Sequence, residues 1–310
     1  MLRTKFLVIS SCLLAACVAS EDPPAQLTDS VTSQVSSRPT GTRPNSLSFN
    51  AVNPIGINPN GIRLNGVALN GIRPNGTDAS GAPIAITGTG SPLSGSAIVG
   101  SIWTGILSDG GTVAIRIDEG LQGTGNNSDV WSYRLSISAD GAWRPLCVDS
   151  DGAPSFADSV TGTWNLAEGV PGGGAYEPSA SNFTLACRGS AIAKCLEFGY
   201  KPWHGYAAGL ATCVRAIRAD YCGDGTPFTV DGTLINLYDN LGVEFDEANW
   251  VPEAEWTPNG ARCVTKQSST RFWQVAHRIP WCFPQPLSPD ITCGTSFHGD
   301  AVIITELMPQ

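Results

Sequence analysis

From residue 112 onward, apolar and polar side chains alternate with a period of two over several stretches. Thr112 to Ile117 (TVAIRI) shows it, Val130 to Ser138 (VWSYRLSIS) shows it more strongly, and each adjoins an Asp-Gly pair, Asp109-Gly110 and Asp140-Gly141, suited to a tight turn. The pattern predicts a meander of antiparallel strands closing at Cys147. Gly162 to Asn165 and Phe183 to Cys187 read as strands on either side of a glycine-rich loop from Glu168 to Ser181, and Ala301 to Leu307 (AVIITEL) as a final buried strand. Helical spacing appears in Ser190 to Phe198, with Ala191, Cys195 and Phe198 inward. It appears again in Leu210, Val214, Ile217 and Tyr221, with Arg215 and Arg218 on the opposite side. Lys201-Pro202-Trp203-His204-Gly205 makes the break between the two helices, since proline disfavours helix ahead of it. Gly223 stands where a C-terminal cap is expected, and Phe228 to Val230 and Thr233 to Tyr238 flank Asp231-Gly232, which predicts a hairpin. The fold class expected is α+β: strand-dominated antiparallel sheets with two short helices.

The first ninety residues follow other rules. Met1 to Ala16 has Arg3 and Lys5 ahead of the apolar run Phe6 to Ala16, too short to span a bilayer and typical of a signal peptide. Leu14-Ala15-Ala16-Cys17 resembles a bacterial lipobox, which makes Cys17 the lipidated first residue of the mature chain; an ordinary secretory signal cut nearby is the alternative. Val18 after the cysteine, in place of aspartate, resembles lipoproteins sorted to the outer membrane. Residues 17–50 are rich in Ser, Thr and Pro with almost nothing to bury, a disordered tether that would hold the folded part about 30 Å from the lipid.

Residues 51–92 form a leader of Gly/Asn pentapeptide-like repeats. Gly56, Gly61, Gly66, Gly71, Gly76 and Gly81 recur every five residues, and after a slip of phase so do Gly90, Gly95, Gly100, Gly105 and Gly110. An apolar residue two places before many of them, as in Leu64-Asn65-Gly66, suits a quadrilateral β-helix. So short a coil buries too little to stand alone. The alternative is that only Leu93 to Gly110 folds, as strands of the main domain at 93–310, behind a flexible leader.

Composition narrows the class. With 35 glycines, 22 prolines and 15% charged residues the chain should be rich in turns and poor in long helices. Its formal net charge of −9, more negative once Arg3 and Lys5 leave with the signal, argues against nucleic acid as a partner. The membrane, reached through the lipid on Cys17, is the expected partner. Of ten cysteines, Cys12 leaves with the signal and Cys17 takes the lipid. The even remainder, Cys147, Cys187, Cys195, Cys213, Cys222, Cys263, Cys282 and Cys293, predicts four disulfides, whose pairing the sequence leaves open. Their intervals are not the short knuckles of zinc sites, so no metal or other cofactor is expected. Asp149-Ser150-Asp151-Gly152 begins like a calcium loop, but Val160 stands where the closing acid belongs, and an acidic turn is the better reading.

Several motifs resemble one family. Ala219-Asp220-Tyr221-Cys222, after Cys213-Val214-Arg215 and before Gly223-Asp224-Gly225, resembles the signature of the ADYC domain family, exported proteins common in myxobacteria. Pro145-Leu146-Cys147, Phe183 to Cys187, Ala193-Lys194-Cys195, Gly199 to Trp203 and Gly260 to Val264 resemble it too, so the likeness runs from about Leu93 to the C-terminus. The family carries over no activity, cofactor or catalytic residue.

Two functions fit. The first is an exported, outer-membrane lipoprotein acting at the cell surface as a binding or structural module, in which Cys222 is a disulfide anchor and Asp220 and Asp224 serve the turn. The second is a surface or periplasm-facing enzyme with a thiol site: Cys222 as nucleophile, His204 or His277 as base and Asp220 as orienter. No G-x-S-x-G elbow is evident, and Gly172-Gly173-Gly174 lacks the lysine of a phosphate loop. His298 reads as a surface residue, Trp250 and Trp256 as lids on the core, and the four prolines Pro280, Pro284, Pro286 and Pro289 as marks of a restrained loop.

Overall fold

The computed structural model describes residues 37–39, 69–86, 91–139, 141–149, 151–230, 232–283, 293–294 and 296–309. The segment read as a signal peptide, Cys17, most of the stretch read as a tether and the glycine repeats before Leu69 lie outside these residues, as do Asp140, Ser150, Asp231 and Pro284, Pro286 and Pro289.

A three-residue strand, β1 (Ser37–Pro39), comes first; it lies within the stretch read as tether. The next strands are β2 (Leu69–Thr77), β3 (Pro83–Ala85), β4 (Ile102–Leu107), β5 (Thr112–Gln122), β6 (Trp131–Ala139), β7 (Ala142–Pro145), β8 (Phe156–Thr161), β9 (Thr163–Trp164), β10 (Tyr176–Glu177) and β11 (Phe183–Cys187). Six of them close a barrel in the order β2-β4-β5-β6-β8-β11, the seam being Phe183 of β11 against Ile72 of β2. Every pairing is antiparallel, with β3 and β7 as side hairpins on β2 and β6. Closure leaves those six strands no open edge. The interior is filled by alternate side chains, among them Leu69, Ile72, Trp103, Ile115, Ile117, Tyr133, Leu135, Ile137, Phe183 and Leu185.

The glycine period therefore has a different outcome from the one expected. Residues 69–77 are a barrel strand paired with β4, not a coil of a β-helix, and the folded part begins ahead of Leu93. The glycines make room inside: a Cβ on Gly105 would lie 2.6 Å from Leu69 Cδ1, and one on Gly76 2.8 Å from the Trp103 ring. β8 is a strand that the sequence reading assigned to no element; its polar Asp158 and Ser159 are buried and break the apolar pattern.

After the barrel the chain turns helical in α1 (Ala191–Phe198), whose N-cap Ser190 accepts from Ala193 N, and α2 (Ala207–Arg218). The chain then forms β12 (Leu234–Asp239), β13 (Val251–Thr257), β14 (Gly260–Val264), the single-turn α3 (Arg271–Gln274) and β15 (Ile303–Leu307). These strands make a five-stranded antiparallel sheet in the order β1-β12-β15-β13-β14. One core joins its inner face (Ile235, Leu237, Ala254, Trp256, Ile303, Leu307) to α1 and α2, and α1 and α2 to Val160 and Ala186 of the barrel strands and Trp164 of β9. Strand-dominated antiparallel sheets with few helices and four disulfides are thus observed. The hairpin expected around Asp231-Gly232 is absent: Val230 and Thr233 close a turn, but Phe228 to Val230 is not a strand, and β12 pairs with β15 and β1 instead. Among the described residues no helix is long and apolar enough to cross a membrane.

Asp158 faces the helical side of the barrel wall at 1% exposure, accepting the Ser132 hydroxyl at 2.5 Å, with Arg188 Nη2 3.1 Å from the same hydroxyl. Burial pushes its carboxyl up from 3.8 to about 6, against the Ser132 hydrogen bond and the Arg188 charge. A raised folded-state pKa means that this group's contribution is fully present below pH 3.8 and is lost as pH rises through about 6. By linkage the loss is on the order of 3 kcal/mol. Asp158→Asn is expected to flatten that part of the stability profile, raising the melting temperature at pH 7.5 more than at pH 4; equal shifts at both would contradict the assignment.

Candidate functional site

The joint between α2, the sheet and the loop before β15 gathers most of the buried charge. Helix α2 ends where Ala219 adopts a left-handed conformation (φ 52°, ψ 43°), with Ala219 N and Asp220 N donating back to Ala216 O and Arg215 O. Ala219, not Gly223, is the cap. Asp220, fully buried, accepts Arg215 Nη1 and Gly225 N (2.9 Å) on Oδ2 and Asp224 N (3.1 Å) on Oδ1. Arg215 and Arg218, placed by their spacing on the side away from the core, are buried too. Arg215 also donates to Gly173 O and Pro258 O, while Arg218 reaches Gly225 O and Glu168. The turn is packed backbone against backbone: a Cβ on Gly223 (φ 66°) would fall 1.9 Å from Asn259 O, and one on Gly225 (φ 83°) 2.2 Å from Ala167 O. Gly172 to Gly174, which resembles no phosphate loop, is the loop that this turn presses against.

Tyr221 turns into the sheet. Its ring meets Trp256, Phe272, Phe228 and Phe283 at centroid distances of 5.0 to 6.0 Å, and its hydroxyl donates to Glu253 Oε1 at 2.5 Å. Burial and then the Glu253 charge push the phenol well above its usual value of 10. Glu253 and Arg271 are both fully buried. Arg271 binds Glu253 through Nε (2.9 Å) and Nη2 (2.8 Å) and gives its other donors to Ile217 O and Ala216 O at the end of α2. Burial alone would raise the Glu253 carboxyl, but the Arg271 charge and hydrogen bonds from Arg271 and Tyr221 outweigh it and hold it below its usual value.

Cys222 is bonded to Cys282, and the remaining bridges are Cys147–Cys187, Cys195–Cys213 and Cys263–Cys293. All eight cysteines among the described residues are paired, as their even number implied. The thiol alternative built on Cys222, His204, His277 and Asp220 accordingly lacks its nucleophile, because Cys222 Sγ is in a disulfide. His204 Nε2 lies 3.3 Å from Asp129, beside buried Lys201 and Trp203 on the same carboxylate, and His277 sits in the loop leading to Cys282 with φ 48°. His298 is on the surface with Nδ1 2.8 Å from Glu255. Among the described residues Glu255, Cys263 and Cys293 are grouped closely enough to ligate a metal. The two sulfurs are bonded to each other, however, and Glu255 accepts Gly294 N and His298 N. Asp149 Oδ1 accepts Asp151 N and Ala153 N, an acidic turn.

A family model, the ADYC domain, matches residues 95–270, more than half of the chain. The chain belongs to the ADYC domain family. No curated protein and no solved structure matches it. Each residue of the family's eponymous tetrapeptide has a structural task here: Ala219 caps α2, Asp220 ties the turn, Tyr221 fills the aromatic core and Cys222 staples the helix exit. A second motif of the ADYC chain, Gly199 to Trp203, works alike: Tyr200 donates to Asp239 of β12 at 2.5 Å, while Lys201 and Trp203 both hold Asp129 from the loop before β6.

Sequence reasoning missed Glu253, Arg271 and the hydrogen bond from Trp281 Nε1 to Asp224 Oδ2 at 2.7 Å. The one signal in the chain was the pair of acids in VPEAEWT, inside an acidic stretch whose Trp250 and Trp256 read as lids on the core. Arg271→Met is expected to destabilise the ADYC domain by about 3–5 kcal/mol, because it leaves Glu253 buried without its partner. Urea unfolding with the disulfides intact measures this, and a loss under about 1 kcal/mol would contradict the role assigned to the pair.

Proposed function

We propose that this ADYC chain is an exported lipoprotein, held at the outer membrane through a lipid on Cys17, whose folded part is a binding or structural module at the cell surface. The observation that carries the reading is the pairing of all eight remaining cysteines in four disulfides. Such bridges form and persist in oxidising compartments. The lipobox at Leu14 to Cys17 supports the anchor, and the tether behind it supports reach from the membrane. The joint supports a module: the charged groups of the signature are taken up by backbone amides, carbonyls and one another, as rigid scaffolds require.

Two measurements test this. Metabolic labelling with a radioactive fatty acid should mark the wild-type chain and leave Cys17→Ser unlabelled and released from the membrane fraction; equal labelling of both removes the anchor. A non-reducing peptide map of the folded protein should recover Cys222 joined to Cys282 and no alkylatable thiol among the eight. Recovery of Cys222 as a free thiol would return the thiol-enzyme reading to consideration.

A further inference from the structure

Trp281 is the most exposed of the large apolar side chains among the described residues, at 76%. An indole on a surface loop ordinarily samples several rotamers, but this one is fixed. Its Nε1 donates at 2.7 Å to Asp224 Oδ2, and Asp224 is 4% exposed with its other oxygen accepting Thr226 N at 2.9 Å. The main chain is restrained on one side by Pro280 and on the other by Cys282, which is bonded to Cys222 at the exit of α2. Phe283 then packs against Tyr221 and Phe272. The ring's one polar atom is taken by Asp224, so what the side chain offers to solvent is apolar ring surface.

Such a surface suits a narrow class of ligand. A protein interface needs on the order of 1,000 Å² of complementary surface, whereas on this loop the described residues expose only Ile279 beside Trp281, and other exposed apolar side chains lie apart, on the barrel (Val99, Ile102) and α3 (Trp273) among other places. At a bilayer surface an indole uses its N–H as the polar handle toward water and headgroups, and here that N–H is already bound to a buried carboxylate. Anionic polymers are opposed by the net charge of −9, and the nearest loop cation is engaged: Arg278 lies 4.6 Å over the Phe228 ring and donates to Pro227 O. The axial C–H groups of an uncharged pyranose form a flat, faintly positive face that matches an electron-rich ring. A ring already held in place loses little freedom on binding it.

We propose that the Trp281 indole is a stacking platform for one sugar ring of a neutral, equatorially linked polysaccharide. This rests on the binding-module reading and names its ligand class. Asp224, Pro280 and the Cys222–Cys282 bridge act as positioning groups for the ring.

The test uses the mature lipidated protein in detergent with its four disulfides intact. Saturation-transfer NMR and calorimetric titration with cellotetraose and tetra-N-acetylchitotetraose should show binding of at least one of them, with trigalacturonate as the acidic comparison. Trp281→Ala should lower the affinity about tenfold or more, Trp281→Phe should keep part of it, and Trp273→Ala should leave it unchanged. Asp224→Asn, which weakens the anchor without removing the ring, should fall between wild type and Trp281→Ala. Absence of binding to either neutral tetrasaccharide, equal affinity of Trp281→Ala, or preference for trigalacturonate would overturn the proposal. So would Trp281-dependent partition of the unlipidated Cys17→Ser protein into phosphatidylcholine vesicles, which assigns the ring to a bilayer. The labelling experiment and the peptide map judge export separately, so a silent titration from a lipidated, fully bridged protein removes the platform alone.

Discussion

Arg271 and Glu253 meet with no solvent exposure between the end of α2 and the face of β13. Taking two such charges out of water costs several kcal/mol per ion, and the arrangement holds because almost every polar valence around it is filled. Glu253 accepts Tyr221 OH, Arg271 N and side chain, and Thr305 OH; Arg271 divides its donors between that carboxylate and the last carbonyls of α2. A displacement of the helix along the sheet would strand one of these groups. The pair therefore fixes the register of α2 on β13 and β15, and the exit turn that carries the signature is set by where α2 stops.

The disulfides repeat that logic in each part of the molecule. One lies inside the barrel, one joins the two helices, one ties the helix exit to the loop before β15 and one ties β14 to the segment preceding β15. The bridge from Cys222 to Cys282 closes a separation of 60 residues, which in the chain-entropy picture is worth about 4 kcal/mol. Loops such as the one around Trp281 have few buried side chains of their own, and it is the bridge and the Asp224 hydrogen bond that give that loop a defined surface. Rigid scaffold and exposed ring are two results of the same joint.

The sequence by itself determined the elements whose signal is local. Period-two alternation located β5 and β6; short apolar runs located β11 and β15; helical spacing located α1; the apolar stripe ending at Tyr221 located α2; and an even cysteine count implied complete pairing. Local signals work there because each element's buried face is written in its own residues. Tertiary structure alone decided which cysteines pair, that the Gly-rich repeat from Leu69 joins β4 and β11 to close a barrel, and that β12 pairs with β15 rather than with a hairpin neighbour. Strand pairing is a contact between segments far apart in sequence, and a good turn dipeptide does not supply a partner strand. The burial of Arg215, Arg218, Glu253 and Arg271 was hidden for a related reason. A charged side chain reads as solvent-facing until its partner is in view, and here Asp220, Glu168 and the carbonyls of α2 are brought to these groups only by the fold.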